Sequence, residues 1–60
     1  MISLDQQIAC VRREIGMRER VYPKFIQSHR MGQDQADYEM RAMKAVLATL
    51  EKLAGEPLPI

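Results

Sequence analysis

Apolar residues recur at Leu4, Ile8, Val11 and Ile15 and resume at Tyr22 and Phe25, with Arg18 standing where the next apolar residue falls due. Spacings that alternate four and three form the seam of a helix packed lengthwise against other helices, as in a coiled coil. A second stripe runs through Cys10, Met17 and Val21. One neighbouring helix cannot cover both stripes. Ser3, ahead of Asp5 and Gln6, offers a hydroxyl to the unpaired amides of a first helical turn. Pro23 lacks an amide hydrogen and its ring crowds the carbonyl of Glu19, yet Phe25, Ile26 and His29 continue the helical spacing. The pattern therefore predicts a helix over about 3–29, kinked at 22–23, with a break into two pieces as the alternative.

Beyond it, Ala36, Met40, Met43, Leu47, Leu50 and Ala54 repeat the four-three spacing, and Ala42, Val46, Thr49 and Leu53 make a second stripe here too. This predicts a helix over about 33–54. The turn falls at about 30–32, where Gly32 can take a backbone conformation that other residues avoid. Asp34 then lies in the first turn, where a negative charge suits the helix dipole. Asp37 and Arg41 are spaced for a surface ion pair. Gly55 is suited to cap the second helix, and Pro57 and Pro59 prevent continuation into the tail, 55–60. Leu58 and Ile60 either fold back onto apolar surface or dangle.

A turn this short makes the helices antiparallel neighbours. The fold class is therefore all-α: an antiparallel two-helix hairpin forming a single domain, 1–60. Two doubly striped helices leave an apolar face in water, so the hairpin is expected to assemble into a helical-bundle homo-oligomer, at minimum a homodimer.

Length strengthens this expectation. Sixty residues bury only about 60% of the surface of the unfolded chain, and chains this small usually need a disulfide, a metal or a partner subunit. Cys10 is the only cysteine, so no disulfide forms within the chain. Cys10 and His29 are too few for a structural zinc. No cofactor is expected. Self-association is what is left. A net charge of +1 argues against a broad electrostatic grip on nucleic acid or membrane. No apolar run approaches the roughly 20 residues of a membrane span, and no targeting pattern opens the chain, which makes the cytoplasm the expected compartment.

Charge is unevenly placed. Residues 12–30 hold six basic groups against two acids, while the rest holds three basic and six acidic groups. A basic first helix and a more acidic second one suit mutual packing. Arg18 on the seam has two readings: it pairs with Glu14 or a carboxylate of the second helix and snorkels at the edge, or it is held ready for a phosphate or carboxylate. Arg13, Arg20 and Lys24 share one face at spacings of seven and four. With Arg18 and Tyr22 they could hold a nucleotide, cations on phosphate and the ring against the base. The plainer reading is a solvated helix face.

Catalysis finds no constellation. His29 has no serine or cysteine nucleophile at helical spacing, and it suits a solvent-facing or capping role. Glu14 and Glu19 diverge on a helix. Cys10, beside Ala9 and Val11, reads as a small buried hydrophobe. Met17, Met40 and Met43 read as core, or as an adaptable binding face. An enzyme is not expected.

The stretch from Cys10 to Pro23, CVRREIGMRERVYP, continuing through Met31, Ala36–Glu39 and Met43–Leu50, resembles a family of very small helical-hairpin proteins of tailed bacteriophages and prophages. The shared pattern is CVxREI, MRxRVYP, ADxE and MxAVLxTL, covering about two thirds of the chain. The turn departs from it, with Ser28-His29-Arg30 in place of a glycine-containing segment and Gly32 in place of a Ser or Thr cap. The resemblance implies origin more than activity: a host bacterial cytoplasm, self-association and action by binding. Under it, one expectation is a counter-defence factor sequestering a phosphate-bearing nucleotide signal through Arg13, Arg18, Arg20, Tyr22 and Lys24. The other is a module that inhibits or assists a host or phage protein, for example as a recombination or replication accessory. Nucleic acid is the weakest partner.

Overall fold

The computed structural model describes residues 1–55, so the expectations for Pro57, Leu58, Pro59 and Ile60 lie outside the described residues. Two helices, α1 (Leu4–Gln27) and α2 (Gln33–Leu53), pack against each other, with no strand among the described residues. At 1.5 Å per residue they are about 36 and 32 Å long. No helix among the described residues is long and apolar enough to cross a membrane.

The start of α1 is fixed by a reciprocal cap. The amide of Gln6 donates to Ser3 Oγ at 3.1 Å, and the amide of Ser3 donates to Gln6 Oε1 at 2.8 Å. Two otherwise orphaned donors are thereby satisfied. The helix runs unbroken through Pro23, which is exposed. The two-piece alternative does not hold: packing of Phe25 and Ile26, both half-buried, continues the helix past the missing hydrogen bond.

The first helix ends at Gln27, two residues earlier than expected, and the turn uses a different residue from the one the sequence suggested. His29, at φ 61°, takes the left-handed conformation, whereas Gly32 has an ordinary extended backbone (φ −80°, ψ 155°) and caps α2 without a side-chain bond. The reason is the hydrogen bonding of the helix end. The amides of His29 and Arg30 donate to the carbonyls of Ile26 (3.1 Å) and Phe25 (2.8 Å), the paired bonds of a Schellman ending. Geometry requires a left-handed residue just past the cap, and that position is a histidine. At the far end Gly55 meets the same demand as expected, at φ 77°.

The core is thin. Among the described residues Ile8, Ile15 and Ala36 are the buried apolar ones, while Leu4, Val11, Tyr22, Phe25, Met40, Met43, Leu47 and Leu50 are half-buried. The first seam of each helix thus faces the other, as its spacing predicts.

Candidate functional site

Two charged clusters tie the helices together, one on each broad face of the hairpin. Arg12 and Glu51 meet at 3.2 Å near the open end, with Glu51 buried. Arg18 donates through Nε to Glu14 at 2.8 Å and holds its Nη1 3.7 Å from Glu39 of α2. Arg18 therefore follows its plainer reading, bridging Glu14 to a carboxylate of the second helix. The hydrogen bond to Glu14 raises the Arg18 pKa; burial opposes this, while Tyr22 and the charge of Glu14 reinforce it. A raised basic pKa means that the stabilisation is complete below the unfolded value and is lost only as pH climbs through the folded one, above the ordinary arginine range. Arg18 is a permanent cation.

The five residues expected to form a ligand site divide into two groups. At 100° per residue, Arg13, Arg20 and Lys24 lie within about 40° of one another, and Arg18 and Tyr22 lie roughly 120–180° round the helix from them. Accordingly Arg18 and Tyr22 are half-buried toward α2, whereas Arg13, Arg20 and Lys24 are exposed on the outer side. Within one chain these groups do not converge. The outer three form a stripe about 16 Å long, and no ion pair among the described residues engages them.

Several other expectations change. Cys10 is exposed instead of buried, because it belongs to the second stripe, which α2 does not cover. Asp37 does not pair with Arg41 among the described residues; it accepts a hydrogen bond from Gln33 Nε2 at 3.0 Å. His29 is exposed and acts through its backbone in the helix ending. A second-helix carboxylate beside Arg18 is expected from the sequence, but not that it is Glu39, and the pairing of Glu51 with Arg12 is not expected at all. The available signal was that each carboxylate lies one position from a seam residue, Met40 and Leu50.

The depressions on the surface are shallow and open. One is lined by Asp34, Asp37, Met40, Arg41 and Lys44, another by Ile2, Gln6, Ala9, Cys10 and Arg13. Neither gathers a nucleophile with a base. Among the described residues no group of His, Cys, Asp and Glu side chains is placed to hold a metal. No family model matches the chain, and no curated protein or solved structure does.

Proposed function

We propose that this chain is a non-enzymatic interaction module: a helical hairpin that assembles with copies of itself and acts by binding another molecule. One observation carries the reading. Three buried apolar residues among those described are a very small core, while Met17, Tyr38, Val46 and Leu53 stay between 39% and 70% exposed. A hairpin with so little interior gains most by covering its second stripes with another helix pair. The expected bend at Pro23 belongs to this reading, since it would angle Phe25 and Ile26 toward a neighbouring helix.

For what the module binds, a host or phage protein is the reading the surface favours. Its exposed helices offer apolar and methionine side chains that repack readily. The phage resemblance adds the setting, the cytoplasm of a bacterial host. Sequestration of a phosphate-bearing nucleotide is the second reading, favoured by the exposed stripe of Arg13, Arg20 and Lys24. It requires subunits to bring that stripe near an aromatic ring, because Tyr22 of the same chain lies on the opposite side.

Native mass spectrometry of the protein purified from bacterial cells separates these readings. A defined oligomer without added mass supports the interaction module. A small nonprotein mass on the oligomer, lost in an Arg13→Ala, Lys24→Ala double variant, moves the function to sequestration. A monomer at the concentrations found in cells overturns both.

A further inference from the structure

The two broad faces of the hairpin differ in chemistry. Measured from the direction of the other helix, Cys10, Met17 and Val21 are rotated by roughly 100–140° on α1, and Ala42, Val46, Thr49 and Leu53 by roughly 80–140° on α2. Both rotations have the same sense. In antiparallel helices that places both second stripes on one side of the hairpin. The two ion pairs confirm the handedness, since Arg18 and Glu39 share that sense and Arg12 and Glu51 share the other. The face bearing the stripes thus holds seven apolar or small residues around one charged cluster, Glu14–Arg18–Glu39. The opposite face carries Asp5, Arg12, Glu19, Asp37, Lys44 and Glu51.

We infer that the occupant of the striped face is a second copy of this chain, related by a two-fold axis along the hairpin, so that α1 of each copy lies on α2 of the other. The inference rests on the self-association proposed above and specifies its surface. Area is the first argument. The chain exposes 4880 Å², where a folded protein of 6.9 kDa exposes about 4000 Å². The excess, about 900 Å² over the whole elongated chain, is enough surface to supply the ~800 Å² that each partner buries in a standard stable interface.

Charge is the second argument, and it selects the axis. On the striped face α1 presents Arg18 beside Glu14, and α2 presents Glu39. An axis along the hairpin sets the Arg18 cation over the helix that carries the partner's Glu39. An axis across it would stack α1 on α1. The lengthwise axis also places Arg18 level with Ala42 of the partner subunit and about one turn from the partner's Glu39. Arg18 has five N–H donors, and a hydrogen bond from Nε to Glu14 uses one of them. Glu39 lies 3.7 Å from Arg18 and accepts no hydrogen bond among the described residues. Two such clusters meeting across an axis can exchange Arg18–Glu39 pairs, which fixes register in an otherwise slippery apolar contact. Arg13, Arg20 and Lys24 stay on the outside of this dimer.

Sedimentation equilibrium tests the pairing on the full chain. The wild type is expected at twice 6.9 kDa. Val46→Glu, at a site 47% exposed in the single hairpin, sets a carboxylate beside Glu14 of both copies and is expected to weaken the dimer on the order of 100-fold. Arg13→Glu is expected to leave it intact. The axis has its own reporter. A Thr49→Cys variant brings a new thiol level with Cys10 of the partner subunit, and mild oxidation is expected to yield a covalent dimer. Within one chain these two side chains point away from the other helix and cannot bridge. A monomeric wild type overturns both this inference and the self-association beneath it. A dimer that persists in Val46→Glu overturns the face alone. If Val46→Glu loses its helical circular dichroism, the Thr49→Cys oxidation decides, and absence of the covalent dimer overturns the pairing.

Discussion

Replacing His29 by glycine should stabilise this protein, although it deletes a whole side chain. His29 holds φ 61° because the Schellman ending of α1 needs a left-handed residue there. Its Cβ makes that conformation cost roughly 1–2 kcal/mol. Glycine removes this cost but has more backbone freedom to lose on folding, roughly 0.5–1 kcal/mol. The net gain expected for His29→Gly is therefore about 0.5–1 kcal/mol. For a chain of this length that raises the midpoint of thermal unfolding by about 2–8 °C. The assay is circular dichroism at 222 nm, with both proteins at the same concentration because self-association makes the midpoint concentration-dependent. His29→Ala is the control that isolates the backbone, since alanine keeps the Cβ and should leave the midpoint nearly unchanged. A His29→Gly midpoint at or below wild type, or an alanine variant as stable as the glycine one, would refute the assignment of strain.

Other perturbations probe the thin core and the helix ends. Ile8→Ala, at 2% exposure, should cost about 2–5 kcal/mol, enough to erase the cooperative helical transition in so small a chain. Ser3→Ala should cost about 1 kcal/mol, read as a lower melting midpoint, while the amide of Gln6, which donates to Ser3 Oγ, loses hydrogen-exchange protection. Pro23→Ala should stabilise α1 by about 1–3 kcal/mol, because it restores a donor to the Glu19 carbonyl in a helix that already runs through this position. A destabilised Pro23→Ala would show that the proline is needed where it stands.

The hairpin was legible in the sequence because two periodic seams, a serine cap and a short polar connection all point to the same arrangement. The turn was misread for a local reason. Glycine at position 32 looked like the flexible residue, but hydrogen bonding fixes the left-handed position two residues beyond the last helical one, whatever residue is there. The candidate site was only partly legible. Spacing alone separates Arg13, Arg20 and Lys24 from Arg18 and Tyr22, and counting all five as one cluster overlooked the angle between them. The spacing of four gave Glu14 as a partner of Arg18, but which α2 carboxylates meet Arg12 and Arg18 depends on how the helices align across the turn, which no spacing within one helix reveals. Cys10 reads as buried from its apolar neighbours, although its stripe belongs to the face that the second helix leaves open.

The position of Arg12–Glu51 at the open end, opposite the turn, bears on the order in which the chain folds. That pair is separated by 39 residues, whereas Arg18 and Glu39, nearer the turn, are separated by 21. Closing the longer loop costs only about 0.5 kcal/mol more, but closing the shorter one first removes most of that difference, so the hairpin should zip from the turn outward. Contacts made after the rate-limiting step leave the folding rate alone and set the rate of escape. Arg12–Glu51 then works as a latch: in stopped-flow kinetics Glu51→Gln should speed unfolding several-fold and hardly slow refolding. The lifetime of the folded hairpin is governed at the end farthest from its turn.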